Sequence, residues 1–233
     1  MSRRFDPITV LFLAFLIWSS VRSGQFSDPR EWLMRELMML PGIVIGLAFH
    51  EFGHAFVSDK LGDPTPRMQG RVTINPLAHI DLIGFVSLLF LGFGWGRPVE
   101  IDPRYYKHRR RDELLVSLAG VVMNLIMAVI FGLILRAYAA AVGYDTYSGM
   151  HLYIYTILYL VVYINLVLMV FNILPIPPLD GFNIITDIFD LRRYRWWYKL
   201  YENGFIILIL LIVFNYTDRI LTPCVQFFIN IIL

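Results

Sequence analysis

Two histidines four residues apart, with an acid beside the first, are the side chains of this 233-residue chain best equipped for chemistry: His50, Glu51 and His54. On a helix, positions i and i+4 share a face, so both imidazoles can reach one ion. Neutral imidazoles suit Zn2+, which in catalytic sites takes three protein ligands and keeps one position open. The ion lowers the pKa of a bound water to about 7, and a carboxylate can accept that water's proton as it attacks a carbonyl. Glu51, one step around the helix, is placed to be that carboxylate and to return the proton to a leaving amine. An HExxH string also arises by chance, with its histidines merely buried and hydrogen-bonded. Here Leu47, Ala48 and Phe49 precede it and Ala55, Phe56 and Val57 follow, so three ionisable groups sit in an apolar run. Such groups cost a few kcal/mol each at membrane depth and are as a rule functional. The pattern therefore predicts a site for one zinc ion.

A third ligand has to come from elsewhere. His79, His108 and His151 lie in polar stretches, whereas Asp180 closes the run NILPIPPLDG at residues 172–181. Three prolines there cannot continue a helix and predict an extended segment. Non-helical backbone at membrane depth is tolerated only against protein or water, which would bring Asp180 within reach of the ion. The alternative is a turn aspartate before Gly181. Asn124 and Asn172 are amides in apolar spans. Each could donate to a substrate backbone or a developing oxyanion, or else join two helices.

The elements that must position these groups follow from hydropathy. With 58% hydrophobic and only 16% charged residues, the chain is no ordinary soluble domain, and its long apolar runs predict membrane spans. The expected fold is an all-α integral membrane bundle of about five to six transmembrane helices, forming one polytopic domain over residues 1–233. The apolar stretch at 8–18 follows Arg3 and Arg4, has no small-residue cleavage site after it, and predicts a retained first span or an interfacial helix. Ser27, Asp28 and Pro29 signal a helix start, and that helix is expected to end at Pro41 and Gly42 before the run carrying the histidines. Residues 62–81 are polar, and Val72, Thr73 and Ile74 within them predict a short hairpin or edge strand. The run at 82–95 is short enough to be re-entrant, while 114–135 and 152–174 are full spans, followed by apolar runs at 205–214 and 220–233. No internal repeat or low-complexity segment is present.

Lys and Arg concentrate at the N-terminus and in residues 60–71, 97–111 and 192–199, whereas 136–151 holds one Arg and no Lys. The positive-inside rule puts the basic stretches on the cytosolic side. His54 would lie about 9 Å and His50 about 15 Å below Lys60 at a helical rise of about 1.5 Å per residue. A net charge of +2 gives no argument for nucleic acid, and Cys224, the one cysteine, excludes an intrachain disulfide and a multi-cysteine zinc site. Gly92, Gly94 and Gly96 lack the following helix and acid of a nucleotide loop.

HEFGH in one apolar run with NILPIPPLDG in a later one resembles the site-2 protease family of intramembrane zinc metalloproteases. DKLGDP at 59–64, GRVTINPLAHID at 70–81 and the Gly120–Asn124 spacing add to the likeness, which covers about residues 36–190. The chain looks like the short branch without PDZ or CBS domains. The usual Pro after the glycine of Gly-xxx-Asn is Val121 here. The resemblance implies His50, His54 and Asp180 as zinc ligands and Glu51 as acid and base. It also implies membrane-anchored substrates with a transmembrane helix, cleaved in the bilayer of a prokaryotic cell membrane with the site toward the cytosol. Two other classes compete: a metal-ion transporter, expected to spread ligands along a path over several spans, and a zinc-binding scaffold, which would not need Glu51. Cleaving a helix requires unwinding it, and the region at Val72 to Ile74, or a segment near it, is expected to offer the freed strand an edge.

Overall fold

In the computed structural model, residues 27–91, 94–143 and 148–233 are described, with a few isolated positions before them. These residues are dominated by helices: α1 (Pro29–Lys60), α2 (Leu82–Leu91), α3 (Arg109–Val142), α4 (Gly149–Asn172), α5 (Asp180–Phe189), α6 (Arg195–Val213) and α7 (Tyr216–Ile232). Four of them, α1, α3, α4 and α6, are long and apolar enough to cross a membrane. α7, at 17 residues, is slightly shorter. The run at 8–18 falls largely outside the described residues.

α1 starts where the sequence signals it. The Asp28 carboxylate accepts the N–H groups of Arg30 and Glu31, with Pro29 in the first turn. It does not stop at Pro41, however, but runs on for 32 residues. A proline forfeits one backbone bond, and in a span neighbouring helices make that loss tolerable. Gly42, the next residue, seats against the Leu160 carbonyl and Val161 of α4.

Residues 62–81 form no strand. A single helical turn, Thr65–Met68, and a 3-10 turn, Pro76–Ala78, occupy the stretch, and Val72 to Ile74 lie in bends and loop. β-branched residues favour a strand only when a partner supplies the ladder, and prolines 64, 66 and 76 together with the Asp63 and Asn75 side chains, which cap local N–H groups, favour turns instead. Of the two alternatives predicted after the catalytic helix, the short apolar segment is the one that forms. α2 spans 10 residues, about 15 Å, half a bilayer core. Its exit is tied back by an isolated antiparallel bridge between Ile80 and Gly96. Arg71, buried, donates to the carbonyls of Ala78 and Arg97 and so fastens the 71–79 loop to the chain that follows α2.

α1, α3 and α4 pack on one another, α5 lies against α3, and α7 closes on α4. Between α3, α4 and α7, Val121, Ala128, Val162, Leu166, Val225 and Ile229 form the main apolar cluster. The basic and aromatic stretch at 195–199 is the first part of α6, continuous with the apolar run after it. Residues 173–179 link α4 to α5 as consecutive turns, not as an extended strand. Ile176 N–H donates to Leu174 O, Leu179 N–H donates to Ile176 O, and the Pro177–Pro178 peptide is cis.

Candidate metal centre

α1 presents His50 and His54 on the face that meets α3. Their Nε2 atoms lie 3.1 Å apart, and Asp180 Oδ2, from the first turn of α5, lies 3.2 Å from each. These three are the group of potential metal ligands among the described residues. Four ligands in a tetrahedron around Zn2+, at about 2.0–2.1 Å, stand about 3.3 Å from one another. The observed triangle has that size. Asp180 Oδ2 is buried and takes no conventional hydrogen bond, so the fold presents it to something other than a donor of its own. Two nitrogens and one anionic oxygen suit zinc.

Each imidazole is braced from behind. His50 Nδ1 lies 2.7 Å from Asn124 Oδ1, and His54 Nδ1 lies 2.7 Å from Val116 O. Both partners can only accept, so both Nδ1 atoms carry the proton and both Nε2 lone pairs face the ion position. α3 comes this close because it has Gly120: a Cβ there would stand 2.4 Å from His54 Nε2. Opposite, Gly53 of α1 rests against the Ala119 carbonyl, where a Cβ would stand 2.8 Å from the oxygen.

Glu51 is half-buried beside the histidines, and its Oε2 accepts the Val99 N–H at 2.9 Å. All four residues line one cavity of about 610 Å³ whose walls are mainly apolar, including Leu47, Leu168, Phe171 and Leu208. Among its lining residues no other acid or base occurs.

Asn124 is not available to an oxyanion. Its amide donates to Gly46 O at 3.0 Å and to Asn165 Oδ1 at 3.1 Å while its oxygen accepts from His50, so every polar atom is used in a fully buried position. Asn172 spends one N–H on Leu168 O and lines the cavity. Two residues escaped sequence reading. Asn165, fully buried, holds Asn124 and returns its own amide to Val161 O. Asn183, one turn after Asp180 on α5, lines the cavity. The signal for the first was a third amide in an apolar span. His79 lies apart from the triangle, with Nε2–H donating to Thr73 O, and burial pushes its imidazole below the usual range. His151 is exposed and pairs with Tyr138.

Replacing Asn124 by Ala should weaken zinc binding about 10- to 100-fold, since the hydrogen-bond partners that orient ligating histidines are worth that much. Competition with a chromophoric chelator measures it, and unchanged affinity would show that His50 needs no brace.

The model of peptidase family M50 matches residues 38–214, which takes in His50, Glu51, His54, Asp180 and most of the bundle. The chain belongs to peptidase family M50. This is the site-2 protease family, so the M50 chain is a membrane-embedded zinc metalloprotease, and a transporter or scaffold is not favoured. It is 37% identical over 197 residues to the candidate zinc metalloprotease YwhC of Bacillus subtilis, covering 83% of this chain and 90% of that one, so the likeness runs through most of both sequences. It is 26% identical over 221 residues to the candidate zinc metalloprotease Rip2 of Mycolicibacterium smegmatis, covering 91% and 82%, which extends the likeness to more distant sequences. No solved structure matches the chain.

Proposed function

We propose that this M50 protease hydrolyses peptide bonds within or near the transmembrane segment of membrane-anchored substrates, with His50, His54 and Asp180 holding one zinc and Glu51 moving the proton. The observation that carries the reading is the convergence of the three donors at 3.1–3.2 Å with Glu51 on the wall of the same cavity. A zinc ion held by His50, His54 and Asp180 would supply an acidified water, with a pKa of about 7. Glu51 would accept a proton from the attacking water as its oxygen bonds to the peptide carbonyl carbon, and would deliver that proton to the amine nitrogen as the C–N bond breaks. Val99 N–H keeps the carboxylate turned toward the cavity. The residues act as one domain, 1–233, with the catalytic core at about 36–190.

The site opens toward the cytosolic side of a prokaryotic cell membrane. Supporting this, the basic stretches meet in space: Arg110 of α3 donates to the Ile188 carbonyl at 3.0 Å, and Arg192 reaches Glu113 of α3. Lys60 ends α1 six residues beyond His54.

The strand edge offered to an unwound substrate is better placed at Gly96 than at Val72 to Ile74. Arg97 N–H bonds His79 O at 2.7 Å, and the Gly96 backbone makes no hydrogen bond among the described residues while lining the cavity with Glu51. An extended peptide can pair with those free groups. Gly96→Pro removes the N–H and should slow cleavage roughly tenfold, about the worth of one hydrogen bond, with zinc content unchanged. Equal rates in the two proteins would remove Gly96 as the edge.

The direct test places the purified chain in proteoliposomes with a single-span substrate. Cleavage should stop on chelation and return on adding zinc. Persistent cleavage by the metal-free protein would reject the proposal.

A further inference from the structure

The three ligands are not braced alike. His50 leans on Asn124 and His54 on Val116 O, both from α3, but Asp180 receives no hydrogen bond from the described residues and meets only the two imidazoles. Its place therefore depends on how the ten-residue α5 is held. The near end of α5 is fitted by contact: a Cβ on Gly181 would stand 2.1 Å from Ile173 O, and Phe182, 1% exposed, stacks on Trp197 with centroids 5.8 Å apart.

The far end is held by charge. Arg192 Nη1 donates to Asp187 Oδ1 at 2.9 Å and also to Glu113 Oε2, and both carboxylates are buried. Arg110 donates through Nε to Asp187 O and through Nη2 to Ile188 O at 3.0 Å, on the last carbonyls of α5. Trp197 Nε1 donates to Thr186 Oγ1 at 2.8 Å. Glu113 and Arg110 belong to α3, four and one residues into the helix that also carries Val116 and Asn124.

Asp187 follows Asp180 by seven residues, two turns, so both lie along one stripe of α5. Whatever fixes Asp187 fixes the roll of the helix. A side-chain tip stands about 5–6 Å from a helix axis, so a roll of about 20° would carry the Asp180 carboxylate about 2 Å. Metal–ligand distances tolerate about 0.2 Å.

We propose that Glu113, Arg192 and Arg110 are positioning residues for the zinc site: by clamping the far end of α5 to α3 they set the roll that delivers Asp180. α3 then serves as the common reference for all three ligands, directly for the histidines and through Arg192 for the aspartate. This rests on the reading of His50, His54 and Asp180 as the ligands.

The test uses the full chain in nanodiscs. Zinc affinity is measured by chelator competition, the d–d spectrum is recorded on the Co2+-loaded protein, and the metal-free protein is melted in parallel. Arg192→Ala should bind zinc at least about 10-fold more weakly, and its cobalt spectrum should move toward that of Asp180→Ala. Arg192→Lys keeps a cation between the two carboxylates and should recover part of both, and it carries the same readouts if the alanine variant does not fold. Glu113→Gln should weaken zinc in the same direction. A clamp that only supports the bundle would lower the melting temperature and leave the folded protein's zinc affinity and cobalt spectrum at wild-type values, which overturns the proposal. If Asp180→Ala itself leaves zinc affinity unchanged, the ligand assignment fails instead.

Discussion

Glu51→Gln should retain its zinc and lose cleavage by about 100- to 10,000-fold, the range that general acid–base groups supply. Glutamine matches glutamate in shape, and its amide oxygen can still accept the Val99 N–H that Glu51 Oε2 accepts at 2.9 Å. The cavity and the ligand triangle should therefore stand as they are. What is lost is the base: an amide neither takes the water's proton nor returns it to the leaving nitrogen. Measuring zinc by mass spectrometry alongside single-turnover cleavage of a transmembrane substrate separates the two effects. A variant that keeps zinc and cleaves at the wild-type rate would sink the proposed role, whereas loss of zinc would mean that Glu51 also shapes the site.

Gly120→Ala should abolish zinc binding in a chain that still inserts and packs. The added carbon would lie 2.4 Å from His54 Nε2 and 2.7 Å from His50 Cε1, well inside contact distance. Neither ring can simply turn away, because each is tied through Nδ1, to Val116 O and to Asn124. Relief requires α3 to retreat or an imidazole to leave its partner, and either opens the triangle. Overpacking of this sort costs about 1–3 kcal/mol, which a membrane bundle can survive, but ligand geometry tolerates far less movement than folding does. The control is Gly132→Ala on the same helix, where the new carbon would meet the Ile232 side chain at 2.2 Å, a contact that involves none of the three donors. That variant should keep its zinc. Equal zinc affinity in Gly120→Ala and the wild type would mean that the seam between α1 and α3 is softer than its contacts imply.

The sequence was most legible where a local pattern and a physical cost coincided. HEFGH inside an apolar run singled out His50, Glu51 and His54 through helical spacing, and the structure sets all three on one cavity with Asp180; the spans at α3 and α4 followed from length and hydropathy. Asp180 was reachable because three prolines forbid a continuous helix, although the link proved to be turns. Asn124 shows the limit. An amide in a span has two uses, and which one applies depends on the rotation of α3 against α1, which depends on glycines that carry no hydrophobic signal. Asn165, a third amide in an apolar span, carried the same ambiguity. Val72 to Ile74 misled because strand preference in a β-branched run is conditional on a pairing partner, and the extended backbone near Glu51 is instead the Gly96 to Val99 stretch. Pro41 misled because a span can absorb a missing backbone bond.

The third ligand comes from the far side of α4, long after the histidines in the order of synthesis. While the ribosome is still threading the chain into the membrane, α1 can enter the bilayer complete with HEFGH and still hold only two of the three donors. The group of three donors is complete only once α3 and α4 have been made and the turns at 173–179 have folded back. A nascent chain, or one truncated before Asp180, carries the two histidines of the group without its carboxylate.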